Sequence, residues 1–397
     1  MQTVNVHSRM DAVQAPIIPV IGAMIRETPG TISLGQGVVH YGPPRQAIDA
    51  AAEALGDMVT HEYGDGDGSP ALVERIEEKL RRDNGIDVAR GSRVMVTAGA
   101  NMAFMHVVFA ITQPGDEIVL PVPFYFNHDM AIEMAGCRTV RVATDAAYQL
   151  DLDALRRAIT PRTRAIVTVT PNNPSGAVFS ESSLRAVNAL CAEHGLFHIA
   201  DEVYEYFTYD DARHFSAASI PGADRHTITM YSLSKAFGFA GWRIGYVVYP
   251  ARLASAMAKS QDTILVCPTM IAQVAAIAAL DVGRRYCAPH VRELAEVREI
   301  VRGELSSLAP LADVPAADGA FYVLLKVNLD ARAKARLTPL DIAERLIRTH
   351  RVAVTPGPAF GMTEGCYFRV AYGALQKATV AEGVGRLVNG LRAILEA

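Results

Sequence analysis

The feature that most constrains the fold of this chain is an alternation running through its middle. Short apolar runs at Arg93–Thr97, Glu117–Leu120, Ala165–Thr170, Phe197–Ala200, Thr227–Ser232 and Ile244–Val248 read as strands, and helical patterns such as Met102–Ile111 and Ser182–His194 lie between several of them. This rhythm predicts an α/β fold with a mainly parallel, doubly wound sheet. From about Pro289 the pattern changes to long helices with separated strands at Phe321–Val327, Val352–Thr355 and Tyr367–Ala371, as in a smaller α+β domain. A chain of 397 residues, half of them hydrophobic, is too long for one compact unit. The expected division is an N-terminal arm (1–45) that contributes to the small domain, a large domain (46–285) and a small C-terminal domain (286–397). The last helix, Val380–Leu395, puts Val384, Leu387, Val388, Leu391 and Leu395 on one face, enough to dock it.

Composition narrows the partners. A net charge of −4 gives no electrostatic reason to bind nucleic acid or an anionic membrane. Met270–Leu280, the longest apolar run, is broken by Gln273 and is too short to span a bilayer, so it reads as a buried Ala-rich helix. Residues 1–9 are mixed polar without an apolar signal core. The five cysteines lack C-x-x-C spacing and are expected to be free thiols in a reducing cytoplasm.

Chemistry concentrates where apolar runs give way to loops, the edge of an open sheet at which ligands bind. In Ser232-Leu233-Ser234-Lys235-Ala236-Phe237-Gly238-Phe239-Ala240-Gly241-Trp242-Arg243, a lysine is followed by no other charge until Arg243. Such surroundings desolvate an ammonium and favour the free amine. A lysine amine that condenses with an aldehyde, beside hydroxyl, guanidinium and backbone N–H groups for a phosphate, is what a pyridoxal phosphate site needs. The strand Phe197–Ala200 ends in Asp201, whose carboxylate could keep a pyridine nitrogen protonated, and Tyr204 follows within reach of a ring hydroxyl. Thr170-Pro171-Asn172-Asn173-Pro174 is a rigid turn that offers the Asn173 amide. Thr97-Ala98-Gly99-Ala100-Asn101 ends a strand and opens a helix whose N–H groups can bind phosphate. Tyr125, in Pro123-Phe124-Tyr125-Phe126, can stack on a ring. Arg369 stands inside the apolar strand Tyr367–Ala371, where a guanidinium needs an anion, either a bound carboxylate or a structural salt-bridge partner.

In this order the segments resemble the class I/II aminotransferases, pyridoxal phosphate enzymes of fold type I, and most of all their aromatic, kynurenine and aspartate-like subgroup. The resemblance spans Gly35 to Arg369. It implies that Lys235 carries the internal aldimine with pyridoxal 5'-phosphate and that Asp201 meets the ring nitrogen. It also implies that Asn173 and Tyr204 flank the ring oxygen and that Tyr125 stacks. Gly99, Ala100, Asn101, Ser232, Ser234 and Arg243 would hold the phosphate side. Arg369 would grip the substrate α-carboxylate, with Gly37 approaching through its backbone and Asn173 beside them. Tyr63 resembles the tyrosine that reaches a neighbouring subunit's phosphate, which implies a homodimer. The implied activity is ping-pong exchange of an amino group between an L-amino acid and a 2-oxo acid. The same residues also serve C–S lyases and cyclising synthases of this fold and, more remotely, non-catalytic sensors.

Two departures from the subgroup bear on specificity. Val38-Val39-His40-Tyr41 stands where Pro-Asp-Phe is usual, and Val266-Cys267-Pro268-Thr269-Met270 lacks the second arginine of dicarboxylate-specific relatives. Asp65, Asp67 and Ser69 mimic the start of a calcium loop, but its closing position is Ile76. With no H-E-x-x-H pairing either, no bound metal is expected.

Overall fold

The structure is a computed structural model that describes residues 8–330 and 337–396. At its centre lies a seven-stranded sheet of β1 (Ser92–Thr97), β2 (Glu117–Val122), β3 (Arg138–Ala143), β4 (Thr163–Val169), β5 (Phe197–Asp201), β6 (Thr227–Ser232) and β7 (Gly245–Pro250). Their spatial order is β1-β7-β6-β5-β4-β2-β3. Five strands, β6 through β3, run parallel, whereas β7 is antiparallel to both β1 and β6. Each apolar run expected to be a strand is one, with ends shifted by a few residues. The strand missed by pattern is β3, at the sheet edge, where exposed Arg138 and Arg141 interrupt the apolar signal that burial imposes on central strands.

Helices cover both faces. Helix α1 (Ala100–Ile111) buries Ala103, Phe104, Val107 and Val108, and α2 (Glu181–His194) buries Leu184, Val187, Leu190 and Cys191. The start of α2 is set by Ser180, whose Oγ accepts the Ser183 N–H at 3.1 Å. The Ala-rich run is α3 (Met270–Val282), and its Ala272, Ala275, Ala276 and Ala279 let it lie close against helix Arg45–Ala54. No described helix is long and apolar enough to cross a membrane.

The expected division at residue 286 falls inside a long helix, α4 (Arg284–Ser306). Beyond it a four-stranded antiparallel sheet forms from β8 (Ala312–Asp313), β9 (Tyr322–Val327), β10 (Thr355–Pro356) and β11 (Cys366–Ala371), ordered β10-β11-β9-β8. The run expected as one strand at Val352–Thr355 is split. Val352–Ala353 pairs in parallel with Ile32–Ser33, while Thr355–Pro356 joins β11. The arm around Ile32 is thereby attached to the C-terminal part of the chain. Arg298 on α4, 2 % exposed, fastens the approach to β9: its Nε donates to the Ala317 carbonyl at 2.7 Å and its Nη1 to Asp210 at 2.8 Å.

The last helix, α5 (Lys377–Leu395), begins one turn before its expected start. It buries Val380, Val384, Leu387, Val388, Leu391 and Ile394, and Leu395 is only partly covered. We expect Leu387→Ala to lower the free energy of unfolding by about 2–5 kcal/mol, the range for emptying a fully buried leucine site. Urea unfolding followed by tryptophan fluorescence measures it. A midpoint equal to that of the unmodified chain would show that α5 is not part of the cooperative core.

Candidate active site

At the carboxyl ends of the parallel strands is a cavity of about 290 Å³. Among its lining residues are Gly37, Ala100, Asn101, Tyr125, Asn173, Asp201, Tyr204, Ser232, Ser234, Lys235, Arg243 and Arg369. The fold therefore gathers nearly all the sequence-derived candidates from segments far apart in the chain. Gly99 lies beside the cavity against Arg243, and Tyr63 lies outside it, 85 % exposed.

Lys235 sits in the short helix Leu233–Ala236 immediately after β6. Its Nζ donates to the carbonyl of Gly37. Burial, with Arg369 and Arg243 nearby and only partial compensation from Asp201, brings its pKa down to about 8. A substantial fraction of the amine is then free at mildly alkaline pH. Asp201 is the last residue of β5; its Oδ1 accepts the Val203 N–H at 3.2 Å and its Oδ2 lies 3.2 Å from His128 Nε2. The imidazole holds the carboxylate in one orientation.

Across the cavity, Asn173 Nδ2 is 3.5 Å from the Tyr204 hydroxyl, which shares a 2.7 Å hydrogen bond with the hydroxyl of Tyr322. Tyr125 donates to Asn101 Oδ1 at 3.3 Å and accepts from Asn127 Nδ2 at 2.8 Å. Tyr322 and His128 were not singled out from the sequence. Tyr322 looks like any aromatic of an apolar strand, so nothing marked it. His128 is three residues past Tyr125 and one helical turn brings the two together, a spacing that could have revealed it.

Arg369 on β11 is 2 % exposed. Its Nη1 donates to Asn173 Oδ1 at 2.9 Å and its Nη2 to the Gly35 carbonyl at 2.7 Å, with the guanidinium lying between the rings of Tyr322 and Phe360. Its Nε has no partner, and among the described residues no carboxylate forms an ion pair with it. A buried cation without an anion is costly unless the anion arrives from outside. The salt-bridge alternative for this residue therefore has no partner among the described residues.

Pyridoxal phosphate can be tested against these contours. Gly99, with φ +81°, precedes α1, and no side chain caps the N-terminus of that helix. A Cβ on Gly99 would come within 2.5 Å of Arg243 Nη2, so only glycine lets the guanidinium lie beside the helix start. Arg243 itself adopts φ +56°, a left-handed conformation that a side chain takes only when its surroundings enforce it. Guanidinium, helix start and the Ser232 and Ser234 hydroxyls form an anion cradle at one end of the cavity. At the other, a Cβ on Gly37 would meet the Tyr322 hydroxyl at 2.8 Å, so backbone borders the cavity directly. Phosphate cradle, amine, carboxylate and amide fit this cofactor.

With the geometry in place, comparison with known proteins gives the class. Residues 29–387 match the model of the family described as aminotransferase class I and II. An aromatic aminotransferase of Arabidopsis thaliana is 34 % identical over 96 % of this chain and 94 % of its own length. An aspartate aminotransferase of Pyrococcus abyssi is 34 % identical over 91 % and 92 %. Among solved structures, the Thermus thermophilus aspartate aminotransferase with maleate superposes with a TM-score of 0.88 at 29 % identity, covering 98 % of this chain and all of that one. The aromatic aminotransferase of Pyrococcus horikoshii gives 0.85 at 33 %, over 94 % and 99 %. The chain belongs to the class I and II aminotransferase family, and it is a pyridoxal phosphate-dependent aminotransferase of fold type I.

The amine environment gives a direct test. In cofactor-free protein, acylation of Lys235 read by peptide mass mapping should rise with a midpoint near pH 8. Arg369→Gln removes a neighbouring positive charge and should move the Lys235 midpoint upward. A midpoint near about 10.4, the ordinary value of a lysine, would contradict the buried amine.

Proposed function

We propose that this aminotransferase acts on L-amino acids with uncharged, chiefly aromatic side chains, binding their α-carboxylate at Arg369. The observation that carries the reading is the buried guanidinium that has no anion of its own. Arg243 and Arg369 are the arginines lining the cavity, and the first belongs to the phosphate cradle. No arginine occurs in residues 266–270 to meet a second carboxylate, whereas Ile18, Val38 and Tyr322 give the cavity apolar wall.

Pyridoxal phosphate, when bound, supplies an aldehyde for the substrate amine and a ring that draws electron density from the α-carbon. The chain's own groups do the rest. Lys235 Nζ, freed when substrate takes its place, removes the α-proton and returns a proton on the far side of the exchange. Compared with an ordinary lysine, its lowered pKa favours the basic form that this transfer requires. Asp201, oriented by His128, stabilises positive charge at the ring nitrogen. Asn173 and Tyr204 would donate towards the ring oxygen, and the hydroxyl of Tyr322 shares a hydrogen bond with that of Tyr204. Tyr125 would cover one face of the ring. Gly99, Ala100, Asn101, Ser232, Ser234 and Arg243 would hold the phosphate. Two half-reactions on one site give ping-pong exchange with a 2-oxo acid. The seven-stranded sheet and its helices (46–285) form the cofactor unit, and residues 286–397 with the arm 1–45 form the unit that brings Arg369 to the substrate. The five cysteines, all free, support a reducing cytoplasmic setting.

A homodimer completes the site in this proposal. Leu55, Met58, Val59 and Tyr63 are exposed on one segment, Ile264 and Val266 on another, and the two segments meet where the Gly64 N–H donates to Cys267 Sγ at 3.3 Å. Apolar side chains of this size, together on a surface, mark a protein interface. Tyr63 would reach the partner's phosphate from there.

Single-turnover mixing with a panel of amino acids, following the change in cofactor absorbance, tests the substrate. Aromatic amino acids should convert faster than aspartate. Arg369→Ala should retain the cofactor spectrum but lose about 2–5 kcal/mol in kcat/KM, the cost of truncating one partner of a desolvated charge pair. Faster conversion of aspartate, or an unchanged kcat/KM in a folded Arg369→Ala protein, would refute the assignment.

The shared site is tested by mixing Tyr63→Ala and Lys235→Ala chains, each severely impaired alone. A heterodimer holds one site with both lesions and one with neither, so activity should return to about half the unmodified value. Verified heterodimers as inactive as their parents would mean that Tyr63 serves its own chain.

A further inference from the structure

Outside the cavity, one group of described side chains has the composition of a transition-metal site: His40, His290 and Glu293. None of the three lines the catalytic cavity. His290 and Glu293 are one turn apart on α4, so both ligating groups project from one face of that helix. His40 comes from the loop Val38–Tyr41, the segment in which this chain departs from the pattern of the subgroup it resembles. One ligating atom from each residue lies within 4.8 Å of the other two, and His40 Nε2 is 3.5 Å from Glu293 Oε2.

A simple ion pair between loop and helix does not account for this arrangement. His40 and Glu293 would make that pair alone, leaving His290 with no function in it. Two imidazoles at this distance repel each other when both are protonated, but they are complementary donors when both are neutral. Their rings stand nearly perpendicular, with centroids 6.2 Å apart, so they do not stack on each other. Tyr41 instead stacks flat on His290 at 3.7 Å and fixes the plane of that ring. The side chains of His40 and Glu293 are 11 % and 38 % exposed, sheltered yet open to an ion from solvent. Bonds of about 2.1 Å in a tetrahedral zinc site set donors roughly 3.4 Å apart, a contraction within reach of small side-chain rotations.

We propose that His40, His290 and Glu293 form a binding site for a borderline divalent cation of the zinc type, with water completing the coordination. Two imidazoles and one carboxylate suit zinc and cobalt rather than magnesium or calcium, which prefer all-oxygen shells. Because one ligand comes from the loop and two from α4, the ion clamps the loop to the helix. That loop adjoins the catalytic lysine at two points: the Gly37 carbonyl accepts from Lys235 Nζ, and the Tyr41 hydroxyl donates to the Lys235 carbonyl at 2.9 Å. The distance in sequence of His40 from His290 and Glu293 explains why no metal was expected from motif spacing.

The test uses holoenzyme freed of adventitious metal with a chelator and titrated with zinc chloride in equilibrium dialysis. One zinc per chain should bind, and cobalt chloride should give the visible absorption of a low-coordinate site at wavelengths beyond the cofactor bands. His290→Asn and Glu293→Gln should each weaken zinc binding by at least about 10–100-fold, the loss seen even for partners outside the ligand set. Their activity in the presence of chelator should equal that of the unmodified enzyme, which certifies the fold. Zinc should also slow amide hydrogen exchange across residues 38–41 in the unmodified enzyme and not in Glu293→Gln. Absence of stoichiometric zinc, equal affinity in folded variants, or unchanged exchange across the loop would each overturn the proposal. Should His290→Asn fail to fold, Glu293→Gln and the exchange measurement decide it.

Discussion

The interaction on which the site depends is the withdrawal of a lysine amine from water in a region that already holds positive charge. Arg369 and Arg243 surround Lys235 with cationic charge, and burial removes the solvent that would screen it. Such an arrangement is unfavourable in a stable scaffold unless other parts of the fold hold it in place. Rigid strand ends carry Asp201 and Lys235, and Arg369 is fixed by Asn173 and the Gly35 carbonyl. The strain is confined to a cavity that anions can enter, which is how a site comes to prefer anionic ligands over water.

Much of this was legible in the sequence because each signal had a local physical cause. Six of the seven strands show as apolar runs, five because interior strands are buried on both faces and the edge strand β1 because Val94, Met95, Val96 and Thr97 are buried. The exception, β3, has exposed arginines because it is an edge. Lys235, Asp201, Asn173 and Arg369 could be read as chemistry because each is a polar group where the chain is otherwise apolar. Tyr322 could not, since an aromatic in a buried strand reads as core, and His128 is marked only by its spacing from Tyr125. The split of the Val352–Thr355 run between two sheets was equally hidden, because the partner of its first half, Ile32–Ser33, is hundreds of residues away and leaves no trace in a local pattern.

Distance along the chain also separates what motif reading finds from what only folding brings together. Lys79, 2 % exposed, pairs with Glu205 and Asn84, and Glu202 gathers Ser216, His214 and Tyr231, in a buried polar network directly beyond Asp201. Each member has at least one partner, although Glu202 Oε1 and His214 Nδ1 are left without one, and the network supports the strand end from behind the cavity. Like the three residues on α4 and its neighbouring loop, these groups come from segments whose proximity is a property of topology alone.

The reversed strand β7 has a geometric meaning of its own. Running against its neighbours, it starts at the edge where they finish, so the turn between β6 and β7 stays on that edge from end to end. Lys235 and Arg243 both lie in this turn. The span between the amine and the guanidinium is therefore set by one short stretch of covalent chain, independently of how the rest of the sheet is assembled. That turn acts as a ruler for ligand length: a molecule with an aldehyde at one end and an anion at the other is measured against it, and relatives of other lengths are excluded before any side chain of the small sheet comes into play.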